Sequence, residues 1–232
     1  MPRSGHADDY TAGVATLGLP ILAMLFGWLA ISQHLWILLW PAAVMLAIAV
    51  IYLARAPGAF GKRQNGTLAW YAWVLWGPWL VYMWIAHEGA RKLTKEPVGN
   101  EVMPGLWVGR RPAAGELPAG VAIVVDLCAE FPKAPVDARL YATVPTLDAT
   151  SPTPDQIVSC VKLVEAAGGP AFIHCAFGHG RSATVAAAVM IHRGAATLDD
   201  VEAKMKAQRP RIGLNAFQKK QLAQAISTMT GA

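Results

Sequence analysis

Two charge-free apolar runs dominate the first quarter of the chain, Val14 to Ser32 and Leu35 to Leu53. Only Gln33 and His34 separate them. Each run is long enough to cross roughly 30 Å of hydrocarbon at about 1.5 Å per residue, so the pattern predicts a tight pair of membrane helices. A third apolar run, Leu68 to Ala86, has a different character. Its aromatic residues continue through the middle, from Trp70 to Trp84, whereas a spanning helix collects them at its two ends. Gly77-Pro78 should break or kink it. An interfacial or re-entrant helix fits this run better than a third span.

From Glu88 onward the pattern is that of a water-soluble domain. Lys95 to Pro104 reads as a polar linker. Leu106-Trp107-Val108 predicts a short strand ended by Gly109, and the β-branched run Val121 to Leu127 predicts a buried one. Leu140 to Val144 is a third candidate strand. Thr153 to Ala167 predicts a helix, with Thr153 as N-cap, Pro154 in the first position and Gln156 completing a capping box. Ala171 to His174 is a short strand, followed by a turn and a helix from Ser182 to His192. Two more helices are expected, Thr197 to Gln208 and Asn215 to Thr228. Alternating strands and helices argue an α/β domain with a central sheet flanked by helices, preceded by an α-helical membrane region. The division expected is 1–94 for the membrane region and 95–232 for the soluble domain.

Composition agrees with this division. Hydrophobic residues make up 54% of the 232 residues and charged residues 15%, against roughly 25% in ordinary soluble domains. The net charge is +5, but no Lys/Arg block is long enough to track a nucleic-acid backbone, so nucleic acid is not an expected partner. Arg55, Lys62 and Arg63 precede the third apolar run, and Arg91, Lys92 and Lys95 follow it. Two spans plus an interfacial helix keep both groups on the cytoplasmic side, while three spans would separate them. The first arrangement is the expectation here: an integral membrane protein of the inner or cell membrane with its soluble domain in the cytoplasm. Asp8, Asp9 and the length of the apolar stretch do not fit a cleavable signal peptide. The three cysteines, Cys128, Cys160 and Cys175, have no disulfide-framework or zinc spacing.

The chemistry is expected in the segment His174-Cys175-Ala176-Phe177-Gly178-His179-Gly180-Arg181-Ser182. A strand that feeds a glycine-containing turn and then a helix aims successive backbone N–H groups at one point, at the positive end of the helix dipole. Gly178 and Gly180 let the backbone turn tightly beside an anion. Arg181 offers a planar fork for two phosphoryl oxygens. Cys175 lies beneath these donors, where the same field favours a thiolate.

This segment resembles the signature loop of the cysteine-dependent protein tyrosine phosphatase superfamily, in its dual-specificity branch. Leu106 to Gly109, Val124 to Glu130 and Arg209 to Leu222 resemble further segments of that branch, so the likeness covers roughly Val102 to Ser227. The resemblance implies that Cys175 attacks phosphorus to form a phosphocysteine, that Arg181 and the amides of Ala176 to Gly180 hold the phosphoryl oxygens, and that Ser182 assists thiolate departure. His174 would orient the loop through its ring; no clustered partner suggests a metal ligand, and neither metal nor cofactor is implied. Asp148, in Val144-Pro145-Thr146-Leu147-Asp148, is the expected general acid. Asp155 competes but suits the first turn of the capped helix, and Asp126 reads as structural. His179 could meet an anionic headgroup or simply face solvent. The Leu127-Cys128-Ala129-Glu130 segment resembles that of phosphoinositide 3-phosphatases, in which this cysteine can pair with the nucleophile, so Cys128 is a candidate redox partner of Cys175 and otherwise a core cysteine.

The expected activity is hydrolysis of a phosphomonoester. The membrane half points to a phospholipid headgroup, such as phosphatidylglycerophosphate or a phosphoinositide, in the bilayer. The absence of lysines in the loop favours a single terminal phosphomonoester. A membrane-tethered phosphatase for phosphotyrosine or phosphothreonine is the alternative, and an anchored, inactive phosphate-binding module is a third.

Overall fold

The computed structural model describes residues 17–195 and 197–231. Three of the residues in the first predicted span, Val14, Ala15 and Thr16, lie outside these, as do Asp8 and Asp9. The first helix among the described residues is α1 (Leu19–Ser32), followed, after a 3-10 turn at Trp36–Leu38, by α2 (Leu39–Leu53). Among the described residues, only Trp36–Leu53 is long and apolar enough to cross a membrane, with 18 residues of mean hydropathy 2.3. The described part of the first run is a shorter apolar helix that opens on Pro20. The third run divides as its Gly-Pro pair demands. It forms α3 (Trp70–Leu75) and α4 (Gly77–Leu93), with Pro78 in the opening turn of α4, where its missing N–H costs no helical bond.

The remaining elements are β1 (Gly99–Met103), β2 (Leu106–Arg110), β3 (Ile123–Cys128), β4 (Leu140–Thr146), α5 (Pro154–Ala166), β5 (Ala171–Cys175), α6 (Arg181–His192), α7 (Leu198–Gln208) and α8 (Ala216–Thr230). The sheet order is β1-β2-β5-β3-β4. Only β1 runs antiparallel to its neighbour. Thr153 and Gln156 form the expected capping box, and Asn215 and Gln218 form a second one at α8. The segment predicted as a linker contains β1. Its Gly, Asn and Glu residues carry no strand propensity, and pairing with β2 supplies what the local sequence lacks.

Strand alternation gives the central strands two faces. Ile123, Val125 and Leu127 of β3, with Ala171, Ile173 and Cys175 of β5, share one core with helices α5 to α8. Val124, Asp126, Phe172 and His174 belong to the opposite face. At the carboxyl ends of the strands that face meets the N-terminal segment. Phe60, Trp79 and Met83 form one buried cluster with Cys128, Phe131, Leu147 and Ala176. Phe131 meets Trp84 edge-on at 5.4 Å and His87 at 5.3 Å between ring centroids. The guanidinium of Arg111 stands over the rings of Trp84 and Phe131.

Phe131 is fully buried at this junction. Phe131→Ala is expected to cost about 3–5 kcal/mol, the usual range for emptying a buried aromatic site. Chemical unfolding of the full chain in detergent measures this, and a loss below about 1 kcal/mol would show that the junction is not packed as described.

Candidate active site

The loop from Cys175 to Arg181 joins the end of β5 to the start of α6 at the carboxyl edge of the parallel strands. Two features make it turn. Gly178 has φ +80, and a Cβ there would strike the backbone of Gly109 and Arg110 in β2. From outside, Arg209 holds the loop carbonyls. Its Nε donates to Gly178 O at 3.1 Å and its Nη2 to Phe177 O at 3.0 Å, while Nη1 donates to Pro97 O and Asn100 Oδ1. With carbonyls drawn outward, amides turn inward. Gly178 N–H donates to Cys175 Sγ at 3.2 Å, and Ser182 Oγ lies 3.5 Å from the same sulfur.

Arg181 is buried, at 1% exposure, and so needs compensation. Glu130 takes both terminal nitrogens, at 3.0 and 2.8 Å, and Thr146 O accepts from Nη1 at 2.7 Å. Burial alone would lower the guanidinium's proton affinity, but Glu130, Asp148 and Cys175 outweigh it and hold the charge firmly in place. Glu130 covers the end of the fork. The side-on edge, Nε and Nη2, is left for a ligand: Nε is buried with no partner among the described residues, and Nη2 contacts Asp148 Oδ1 at 2.9 Å. Side-on donation of two parallel N–H groups is the geometry that matches two phosphoryl oxygens.

Asp148 follows β4 on a loop tied to the start of α8. Asn215 Nδ2 donates to Ala149 O and Gln218 Nε2 to Thr150 O, both at 2.8 Å. Ala149 has φ +59, a left-handed conformation held by these bonds. Asp148 is 42% exposed and stands at the open side of the loop, while Asp155 lies in the first turn of α5. Of the two candidate acids, only Asp148 reaches Arg181.

This arrangement is that of a known catalytic domain. Residues 118–227 match the family model described as dual specificity phosphatase, catalytic domain. The match supports a cysteine phosphatase of the dual-specificity type over this part of the chain. The chain is a phosphoric monoester hydrolase. Among solved structures, a mutant form of Tk-PTP is 22% identical, with 59% of this chain and 99% of that chain covered at a TM-score of 0.50, which shows a shared fold. Human DUSP28 is 26% identical over 58% of this chain and 97% of that chain, at a TM-score of 0.46. PTPMT1 in complex with PI(5)P is 17% identical over 58% and 97%, at a TM-score of 0.47. No curated protein sequence matches the chain.

The structure of the phosphatase changes two readings of the site. His179 does not face solvent freely: its Nε2 pairs with Glu96 at 2.9 Å, and burial lowers its pKa against that pull. His174 does have clustered partners. Asp126 and Cys128 bring their ligand atoms within 4.8 Å of its ring. Lys62 fills the role of a cation there, with Nζ 2.7 Å from Asp126 Oδ2. Glu130, Lys62 and Arg209 are the residues that sequence reasoning missed as parts of the site. The signal for Glu130 was present, since it closes a segment already matched to the family. Cys128 and Cys175 are both free and buried, and burial pushes the Cys128 thiol well up.

Burial lowers the pKa of His174 to about 4, against a weaker opposing pull from Asp126. Burial would raise Asp126, but His174 and Lys62 together hold it at about 2. Near neutrality His174 is uncharged, so Lys62 is the cation that stabilises Asp126 there. The unfolded chain takes up the His174 proton near pH 6.5 and the folded chain only near pH 4. Stability is therefore complete above pH 6.5 and should fall by about 3 kcal/mol as pH drops to about 4. Below pH 3.8 Asp126 adds a further loss. Denaturant unfolding between pH 7 and 4 measures the first step. His174→Gln should flatten most of it, leaving a smaller slope of the same sign from His179 and His87, whose pKa values burial also lowers, and an unchanged slope would refute the assignment.

Proposed function

We propose that this phosphatase removes a terminal phosphomonoester from a phospholipid headgroup at the membrane, with Cys175 as nucleophile. The observation that carries the lipid reading is a cavity of about 370 Å³ that opens beside the phosphate loop. Asp148 and Phe177 line it at the loop, and Leu19, Leu22, Met45 and Met83 of α1, α2 and α4 line it farther out. Its volume suits a small-molecule site, and its wall is almost wholly apolar. An acyl chain fits a wall of this kind along its whole length, which supports a lipid over a phosphopeptide. In this reading α2 and its preceding turn, long and apolar enough to span, set that wall against the hydrocarbon, and the soluble domain lies on the cytoplasmic side.

In this reading Cys175 Sγ attacks phosphorus as the alkoxide departs. Asp148 gives that oxygen its proton, and the inward amides with Arg181 Nε and Nη2 hold the equatorial oxygens. Asp148 then takes a proton from the water that cleaves the phosphocysteine. Ser182, 3.5 Å from the sulfur, donates to it as it leaves. The Asp148–Arg181 contact gives way when phosphate takes the Nη2 edge. His174 orients the loop from below, its Nδ1 within 3.3 Å of Cys175 O. A pairing of Cys128 with Cys175 on oxidation stays within this proposal and depends on exposing a buried thiol.

The test uses the full chain in detergent, with phosphatidylglycerophosphate, a phosphotyrosine peptide and a soluble aryl phosphate. The lipid should be preferred over the peptide by at least about tenfold in kcat/KM, and Cys175→Ser should abolish all three activities. Preference for the peptide would favour a membrane-tethered protein phosphatase. Activity surviving in Cys175→Ser would remove the mechanism itself.

Leu22→Trp fills the outer pocket without adding charge. It should cost about tenfold or more on the lipid and clearly less on the aryl phosphate, which has no acyl chain. Equal losses on both would separate the cavity from substrate selection.

A further inference from the structure

Lys62 comes from the loop between α2 and α3, far from the phosphatase domain in sequence. Its side chain is fully buried, as is that of Asp126. Nζ donates to Asp126 Oδ2 at 2.7 Å and to Cys128 O at 2.6 Å. The loop that delivers it is held at both flanks: Lys62 bridges to Leu68, and Gly66 O accepts from Lys133 N at 2.7 Å. Asp126 in turn accepts from Cys128 N at 2.9 Å and from Tyr141 Oη at 2.8 Å, and its Oδ1 lies 3.8 Å from His174 Nε2. His174 precedes the nucleophile, and its other ring nitrogen lies against Cys175 O. A chain of direct contacts thus runs from the N-terminal segment to the loop.

We propose that Lys62 is a positioning residue for the phosphate-binding loop, acting through Asp126 and His174 and making the N-terminal segment part of the catalytic unit. The physical argument is charge balance in a dry site. A buried carboxylate without a cation is strongly unfavourable, so Asp126 must be neutralised by whatever lies nearest. The groups that face His174 are Asp126 and Cys128 from β3, Tyr141 from β4, Lys62, and Arg111 beyond β2. With Lys62 in place, the carboxylate has its counter-ion and His174 stays neutral beneath Cys175. Without it, His174 is the group that can supply the missing charge. It would then protonate at higher pH, turn donor at both nitrogens, and place a cation against the Cys175 carbonyl.

The inference rests on the phosphatase reading and is independent of the lipid substrate, so a soluble aryl phosphate serves as probe. The full chain in detergent is compared with Lys62→Met, Lys62→Arg, Asp126→Asn and the double variant Lys62→Met/Asp126→Asn. Lys62→Met should lower kcat about tenfold with little change in KM and move the acid limb of the kcat/KM profile upward by about one pH unit. Lys62→Arg, which keeps the charge, should keep the wild-type limb. In the Asp126→Asn background the Lys62 substitution should add less than a twofold loss, because the group through which it acts has gone. That last comparison reads the proposal even if Lys62→Met alone fails to fold. A wild-type limb and kcat in Lys62→Met, or a further tenfold loss in the Asp126→Asn background, would overturn it. Failure of the lipid preference leaves this result standing, and loss of the Cys175 dependence would remove both.

Discussion

The site depends on burying one guanidinium at the base of the phosphate loop. Arg181 sits at 1% exposure, where an uncompensated charge would cost several kcal/mol. Glu130 meets it with two bonds on one edge, and Thr146 O adds a third contact. That choice of edge determines the rest. It leaves Nε without a partner among the described residues and Nη2 in contact with the Asp148 carboxylate, on the edge that phosphate takes in the proposed function. Arg209 completes the arrangement from the other side by holding the loop carbonyls, so that the amides are free to turn inward. Two arginines thus shape one loop, one from within and one from outside.

The same rule about buried charge governs the face of the sheet opposite helices α5 to α8. Strand alternation sends Cys175 to one side and His174 to the other, and it places Asp126 beside His174. A carboxylate there requires a cation, and Lys62 arrives from the N-terminal segment to provide it. The packing of Phe60, Trp79 and Met83 on Phe131 and Leu147 gives that segment a hydrophobic seat on the domain. Charge and packing therefore join the two parts of the chain at the end of the sheet where the chemistry lies. The cavity between α1, α2, α4 and the loop is a consequence of this seating, and it is what connects a phosphate-removing loop with an apolar substrate in the proposed function.

Much of the site was legible in the sequence because its requirements are local. A strand, a turn that needs glycine at positive φ and a helix start are written in consecutive residues, and Cys175, Gly178, Arg181 and Ser182 take the places that their spacing assigns. The capping boxes at Thr153 and Asn215 are local in the same sense, and the break at Gly77-Pro78 follows from proline's missing N–H. Asp148 was reachable because it ends a strand-loop segment, and its contact with Arg181 distinguishes it from Asp155. β1 escaped because its residues acquire strand geometry only through a partner.

What the sequence alone determined is the set of elements and the loop, since hydrophobic period, turn chemistry and capping act over a few residues. The tertiary structure decided which charges balance which. Lys62 reads in sequence as a loop charge near a membrane, yet it is a buried counter-ion of Asp126, and Glu130 and Arg209 take up their roles across large separations in the chain. The reason is physical. In water a charge needs no particular neighbour, whereas in a dry interior it must have one, and only the folded chain determines which residues are brought close enough to serve.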